Sequence, residues 1–464
     1  MKAESTAKRH PLTPRGVERL MKSALGGLIL RPWFDETALR LLTQWYFPLS
    51  RGWAAALAAN GSPDRFIEQI PCGRLARRML PGILRRVQSR QMILDAADAA
   101  WDEAFFGDGP ARAEKETARL RAAGGLTNLR SAFVPLHLQA PMPPVAWAIE
   151  DPASVAHRHG PRLAAPEAAF ADSFDPAEIE ASRGFLFRHG VDGWLRYSAP
   201  TVASRGTAWA RVSAPALVPG GGSAPVPSVI FTHGIAMEPE FTGDGRNPLG
   251  ALVAEGVRVI RPEGPWHGRR RSPGSYGGEP VLARGPGGLL DYFHAHVIEL
   301  GRLIAWARRT RRGPVCLGGV SLGALTAQLA AVAARDWPAE MRPDALFLVA
   351  PSSSLIAVTF QGRLTGGLGV PRAIRSAGWT RADLEQWRGL LDPVGQPAVA
   401  PSRIVVVIGR SDDVTLTAGG EALARAWRLP QENVFRAPAG HFSTSLGLSR
   451  DLAPFTRLLR VLRS

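Results

Sequence analysis

The chain has 464 residues, of which 45% are apolar, and it carries a formal charge of +16. That length and apolar content suit a large folded core in two structural units, as in an ordinary soluble globular protein, and two cysteines exclude a disulfide framework. Only four of the 56 basic residues are lysines (Lys2, Lys8, Lys22, Lys115), and no zinc-finger, RNP or aromatic-interleaved basic motif accompanies the arginines, which argues against a nucleic-acid partner. With abundant Ala, Gly and Pro, the arginine excess points first to coding bias in a GC-rich genome, and second to a basic surface that attracts an anionic substrate or makes peripheral contact with an anionic membrane.

The N-terminus, "MKAESTAKRHPLTPRG", is basic, but the apolar run "ALGGLIL" that follows is short and badly placed for a signal peptide. No stretch approaches the ~18 apolar residues of a membrane span. A soluble, cytoplasmic protein with reduced Cys72 and Cys316 is the expectation.

From about 35 to 130 the pattern is helical. "ETALRLLTQWYF" spaces apolar residues along one face. Gly61, Ser62 and Pro63 read as a stop, an N-cap and a first helical residue. Pro81-Gly82 is expected to break the next run, after which Ile83, Leu84, Val87, Leu94, Trp101 and Phe105 mark an inward face. Arg85, Arg86 and Arg90 lie between them, as a solvated face or as the basic side of a membrane-surface helix. The stretch 138–182, rich in Pro, Ala and acids, reads as a linking or wrapping segment, so the division is 1–182 and 183–464.

After residue 190 eight short β-type runs follow: "GWLRYSA", "TAWARVSAPAL", "SVIFTHG", "VRVIRPEG", "PVCLGGVS", "ALFLVAPS", "RIVVVIGRSDD" and "NVFRAPAGH". Helical patterns separate the later ones. A mostly parallel eight-stranded sheet flanked by helices, opened by an antiparallel pair, is the predicted architecture: fold class α/β with a mainly helical N-terminal extension. The stretch 352–400 is too long for an ordinary connection and contains a helix capped by Thr380, which suggests a lid.

Gly319-Val320-Ser321-Leu322-Gly323 spells G-x-S-x-G between a buried strand and a helix. In a chain with 49 glycines the pentapeptide alone carries little. Its position carries more, because a sharp turn there would lift Ser321 above the sheet edge beside the free N–H groups of a helix start. A serine nucleophile needs a base and an orienting carboxylate. Asp412 and Asp413 follow the next-to-last strand, and His441 follows the last.

With these residues, the chain from about 190 onward resembles the α/β-hydrolase superfamily, through G-x-S-x-G, a G-x-x-D from Gly409 to Asp412, and Gly440-His441. The resemblance implies Ser321 as nucleophile, His441 as general base and then acid, and Asp412 as the orienting acid, since the family pattern places an apolar residue two after it, here Val414. It also implies an oxyanion hole from the N–H groups of Leu322 and of Ile235, in a loop opened by His233-Gly234. The loop "RPEGPWHGRRRSPGSYGGE" should lie near the site mouth. His267 there orders the loop or meets substrate, and Arg269, Arg270 and Arg271 form a solvated cluster or hold an anionic group.

Such a constellation requires no cofactor and no metal. His294/His296 and His157/His159 are spaced two apart, which on a helix points them to different sides. The expected activity is a serine hydrolase of esterase or lipase type acting on a small or lipid-like ester or thioester. An acyltransferase with the same residues, or an inactive binding protein of this fold, are the alternatives.

Overall fold

The computed structural model describes residues 32–187, 190–216, 225–237 and 248–464. The basic N-terminus and the "ALGGLIL" run lie outside the described residues. Ten strands form one sheet: β1 (Glu180–Ala181), β2 (Phe185–Phe187), β3 (Gly190–Ser198), β4 (Thr207–Pro215), β5 (Ser228–Thr232), β6 (Arg258–Pro262), β7 (Val315–Val320), β8 (Ala345–Val349), β9 (Ile404–Gly409) and β10 (Val434–Ala437). Their order is β1-β3-β4-β6-β5-β7-β8-β9-β10, with β2 paired to β3. All eight expected strands are present. The two additions, β1 and β2, are two and three residues long, too short to show a periodicity, and form by pairing with β3.

β3, β4 and β6 pair antiparallel, and every pairing from β6 through β10 is parallel. Strands β5 to β9 are buried on both faces, which explains their apolar runs, whereas the edge strand β10 buries only Val434. Alternate side chains feed two cores. Ile230, Leu346 and Leu348 enter one with the N-terminal Phe47 and Trp53, whereas Val229, Phe347 and Val349 enter the other with Phe455. The N-terminal helices and the sheet thus share a continuous core.

The helices that bear on the site are α1 (Pro32–Leu41), α2 (Phe47–Ala59), α3 (Arg74–Phe106), α4 (Gly285–Thr310), α5 (Leu322–Ala333) and α6 (His441–Gly447). Helix α3 corrects the expected break at Pro81: it runs unbroken for 33 residues. Leu80, Ile83, Leu84 and Val87 are all buried, so packing in register across Pro81 outweighs the ~3 kcal/mol that an internal proline costs. Ser62 and Thr380 do cap helices, through Arg65 N and Asp383 N. The 138–182 segment wraps the sheet domain, with Ala148 N bonded to Ala283 O, yet it also holds a helix, Pro152–Ala164, capped by Asp151. Among the described residues no helix is long and apolar enough to cross a membrane.

Candidate active site

Strand β5 lies between β6 and β7, so the strand order reverses there, and a crevice opens beyond the carboxyl ends of β5 and β7. Ser321 follows β7 at φ 57°, ψ −121°, in a region that L-residues avoid and that is held only where surrounding structure enforces it. The enforcement is visible. Ser321 N–H donates to Val349 O on β8 at 3.0 Å, and helix α5 starts at the next residue. A Cβ on Gly319 would come within 3.0 Å of the Gly323 backbone, and one on Gly323 within 3.0 Å of the carbonyls of Thr232 and His233. Both glycines are therefore needed to let the turn pass between strand and loop.

His441 and Asp412 meet Ser321 from the ends of β10 and β9. His441 Nε2 lies 3.0 Å from Ser321 Oγ, and His441 Nδ1 lies 2.8 Å from Asp412 Oδ2. Asp412 also accepts hydrogen bonds from Val414 N, Thr415 N and Thr415 Oγ1 at 2.9, 2.9 and 2.8 Å. Burial opposes ionisation of Asp412, but His441 beside it and the bonds from Thr415 outweigh burial and hold its pKa below the ordinary value. The neighbouring Asp413 instead pairs with Arg363 at the surface, at 3.0 Å. Of the two adjacent acids, the structure brings Asp412 to His441.

The loop after β5 is built by two histidines, His267 fully buried and His233 half-buried. His233 accepts from Gly264 N at 3.0 Å through Nε2, and its Nδ1 faces Gly234 O at 2.8 Å. Burial pushes its pKa down to about 4. His267 accepts from Ala236 N at 3.3 Å, with Nδ1 2.9 Å from Pro265 O, and burial also drives its pKa well down. Both are neutral at pH 7 and fix backbone, so His267 orders the loop. Ile235, between these anchors, shares the wall of one cleft with Ser321 and Leu322. Gly234 packs close enough that a Cβ there would touch Ser321 Cβ at 3.4 Å.

Beneath the loop runs a buried polar chain. Thr232 Oγ1 lies 2.7 Å from His296 Nε2, His296 Nδ1 lies 3.0 Å from Glu299, and Arg270 grips both oxygens of Glu299 at 2.7 and 2.9 Å. This corrects the expectation of an arginine cluster at the mouth. Arg270 points into the fold. The Arg269 guanidinium lies over the rings of Trp101, Trp194 and Trp209, at 3.7, 4.5 and 4.7 Å from their centroids, and burial lowers its pKa to about 10. Arg271 stacks on Trp53 at 4.6 Å. Tryptophan faces and a buried glutamate recruit these cations more strongly than solvent does.

The cleft over Ser321 has a volume of about 900 Å³ including its open mouth, and its wall is aliphatic: Val281, Leu282, Leu289, Leu325, Leu364, Val370 and Ile374 are among its members. Five short helices between Leu355 and Leu391, inside the expected 352–400 insertion, supply much of that wall. Sequence reasoning missed two residues. Thr415 completes the cradle of Asp412, and Asp35 reaches the first turn of α6. Nothing local marks either.

The sheet order, the strained serine between β7 and α5, and an acid and a histidine after the next-to-last and last strands define the class: this is the α/β-hydrolase fold. No family model and no curated protein matches the chain. Solved structures that it resembles include acetyl xylan esterase 1 from Thermoanaerobacterium sp., at 15% identity and TM-score 0.43, over 66% of this chain and 96% of that one. Others are an acetyl xylan esterase from Paenibacillus sp. R4 (14%, 0.42, 64% and 90%) and an S-formylglutathione hydrolase from Agrobacterium tumefaciens (14%, 0.40, 61% and 99%). At these values the likeness is one of outline, and chemistry has to come from the site itself.

Proposed function

We propose that the protein is a serine hydrolase that cleaves a carboxylic ester or thioester with an apolar acyl chain. The observation that carries this reading is the line Asp412–His441–Ser321, which ends in an aliphatic cleft. His441 takes the Ser321 proton as Oγ attacks the carbonyl carbon. The alkoxide that forms is received by the N–H groups of Ile235 and Leu322, and N–H donors preorganised in this way are commonly worth orders of magnitude in rate. Collapse expels the alcohol or thiol, protonated by His441, and leaves an acyl-enzyme on Ser321. Water activated by His441 then releases the acid. Asp412 holds the imidazole in the tautomer with its proton on Nδ1.

The inward-turned arginines favour an uncharged, apolar chain over an anionic group. A series of 4-nitrophenyl esters from acetyl to dodecanoyl tests this. Each methylene buried contributes up to about 0.8 kcal/mol, so kcat/KM should rise by up to about fourfold per carbon until the cleft is full. A flat profile, or a preference for acetyl or carboxylate-bearing esters, contradicts the apolar-chain reading. Product analysis with added alcohols separates hydrolysis from acyl transfer.

A further inference from the structure

We propose that the N-terminal helical region is part of the catalytic apparatus, and that Asp35 on α1 is a positioning residue for His441. This rests on the hydrolase reading above. Helix α6 begins at His441, and its first N–H groups have no intrahelical partner. The residue before it, Gly440, has no side chain to cap them. Asp35 does so from 407 residues away: Oδ1 accepts from Phe442 N at 2.6 Å and from Ser443 N at 3.1 Å. Its other oxygen accepts from Ser443 Oγ, which in turn accepts from Gly440 N at 2.9 Å. One carboxylate therefore ties both flanks of His441, directly on the C-terminal side and through Ser443 on the N-terminal side.

The fit excludes the usual local solution. A Cβ at Gly440 would come within 3.0 Å of Asp35 Cγ, Cβ and Oδ1, so the glycine clears space for the carboxylate, which is buried. A second contact from the same region reaches the other half of the site. Tyr46 Oη donates to Ala236 O at 3.3 Å, one residue beyond Ile235, and Arg130 donates to Tyr46 Oη at 3.0 Å. The N-terminal helices thus brace the base from one side and the candidate oxyanion loop from the other. Without Asp35, the turn carrying His441 loses three hydrogen bonds, and its Nε2 loses the fixed 3.0 Å approach to Ser321 Oγ.

The test compares wild-type protein with Asp35→Ala, Asp35→Asn and Ser443→Ala, using the full chain and a fluorophosphonate probe. Misplacing a base by about 1 Å can cost on the order of 100-fold, so Asp35→Ala should lose about 10- to 100-fold in kcat and in labelling rate, with KM within about twofold. The downfield proton resonance of the His441 Nδ1–H bond to Asp412 should weaken with it. Asp35→Asn keeps an oxygen for the two backbone N–H groups and should recover most of the loss. A folded Asp35→Ala that labels at the wild-type rate and retains the resonance overturns the proposal. Should Asp35→Ala fail to fold, Ser443→Ala decides: an unchanged kcat overturns the proposal, and a loss of about 3- to 10-fold with KM unchanged supports it, as half of the tie is removed. Wild-type protein that never labels sinks the hydrolase reading instead, so the two failures are distinguishable.

Discussion

Removing Glu299 from beneath the active-site loop should destabilise the fold severely. The Glu299 and Arg270 side chains are 0% and 5% exposed and meet at 2.7 Å, and His296, also fully buried, bonds the same carboxylate at 3.0 Å. In Glu299→Ala, Arg270 keeps its bond to Glu263 O at 2.8 Å but loses both carboxylate bonds, with its side chain only 5% exposed to water. Breaking one side of such a buried pair costs about 3–5 kcal/mol, whereas replacing both partners with apolar residues of similar volume is often close to neutral. Urea unfolding of wild type, Glu299→Ala, Arg270→Met and the double variant Arg270→Met/Glu299→Leu measures the difference. The double variant should recover at least about 2 kcal/mol over Glu299→Ala, at an unchanged m-value. If it is no more stable than Glu299→Ala, or if Glu299→Ala itself costs less than about 1 kcal/mol, the buried pair does not hold the loop in the way described.

Three further outcomes follow from the geometry. Gly323→Ala would drive a methyl group into the carbonyls of Thr232 and His233 and separate the serine turn from the loop, so kcat should fall by about 100-fold; wild-type kcat would show that the close approach is dispensable. Burial lowers the pKa of His233 from 6.5 to about 4 and that of His267 well below 6.5. The unfolded chain therefore takes up these protons first, and stability, complete above about pH 6.5, should fall by up to about 1.4 kcal/mol per pH unit for each histidine on acidification toward pH 5. Urea midpoints that do not move over that window would contradict two histidines held neutral in the fold. Leu364→Trp, in the cleft wall, should shorten the longest acyl chain accepted by several carbons while sparing butyryl esters, which the chain-length series reads directly; an unchanged cut-off would place the acyl chain elsewhere.

Most of the sheet was legible because strands buried on both faces must be apolar throughout, as "IVVVIG" at Ile404–Gly409 is. The serine, acid and histidine were legible because each follows a strand whose apolar run ends abruptly in small or polar residues. What escaped reading has physical causes. Helix α3 crosses Pro81 because tertiary packing overrides a local breaker. Arg269, Arg270 and Arg271 form a run that looks solvated, yet their partners Trp101, Glu299 and Trp53 lie far away in sequence. Asp35 has no local signature either, since an exposed-looking aspartate in a helical first turn is ordinary until α6 is packed against it.

The central claim is that Ser321 is a nucleophile activated by His441. Its most direct test is labelling of the intact protein with a fluorophosphonate, followed by mass analysis of the modified peptide. The account predicts one stoichiometric adduct on the peptide bearing Ser321, absent in Ser321→Ala and slowed by about 1,000-fold or more in His441→Ala, as expected when the members of such a unit are removed. Folded wild-type protein that stays unlabelled, or that labels equally well in Ser321→Ala, would contradict it.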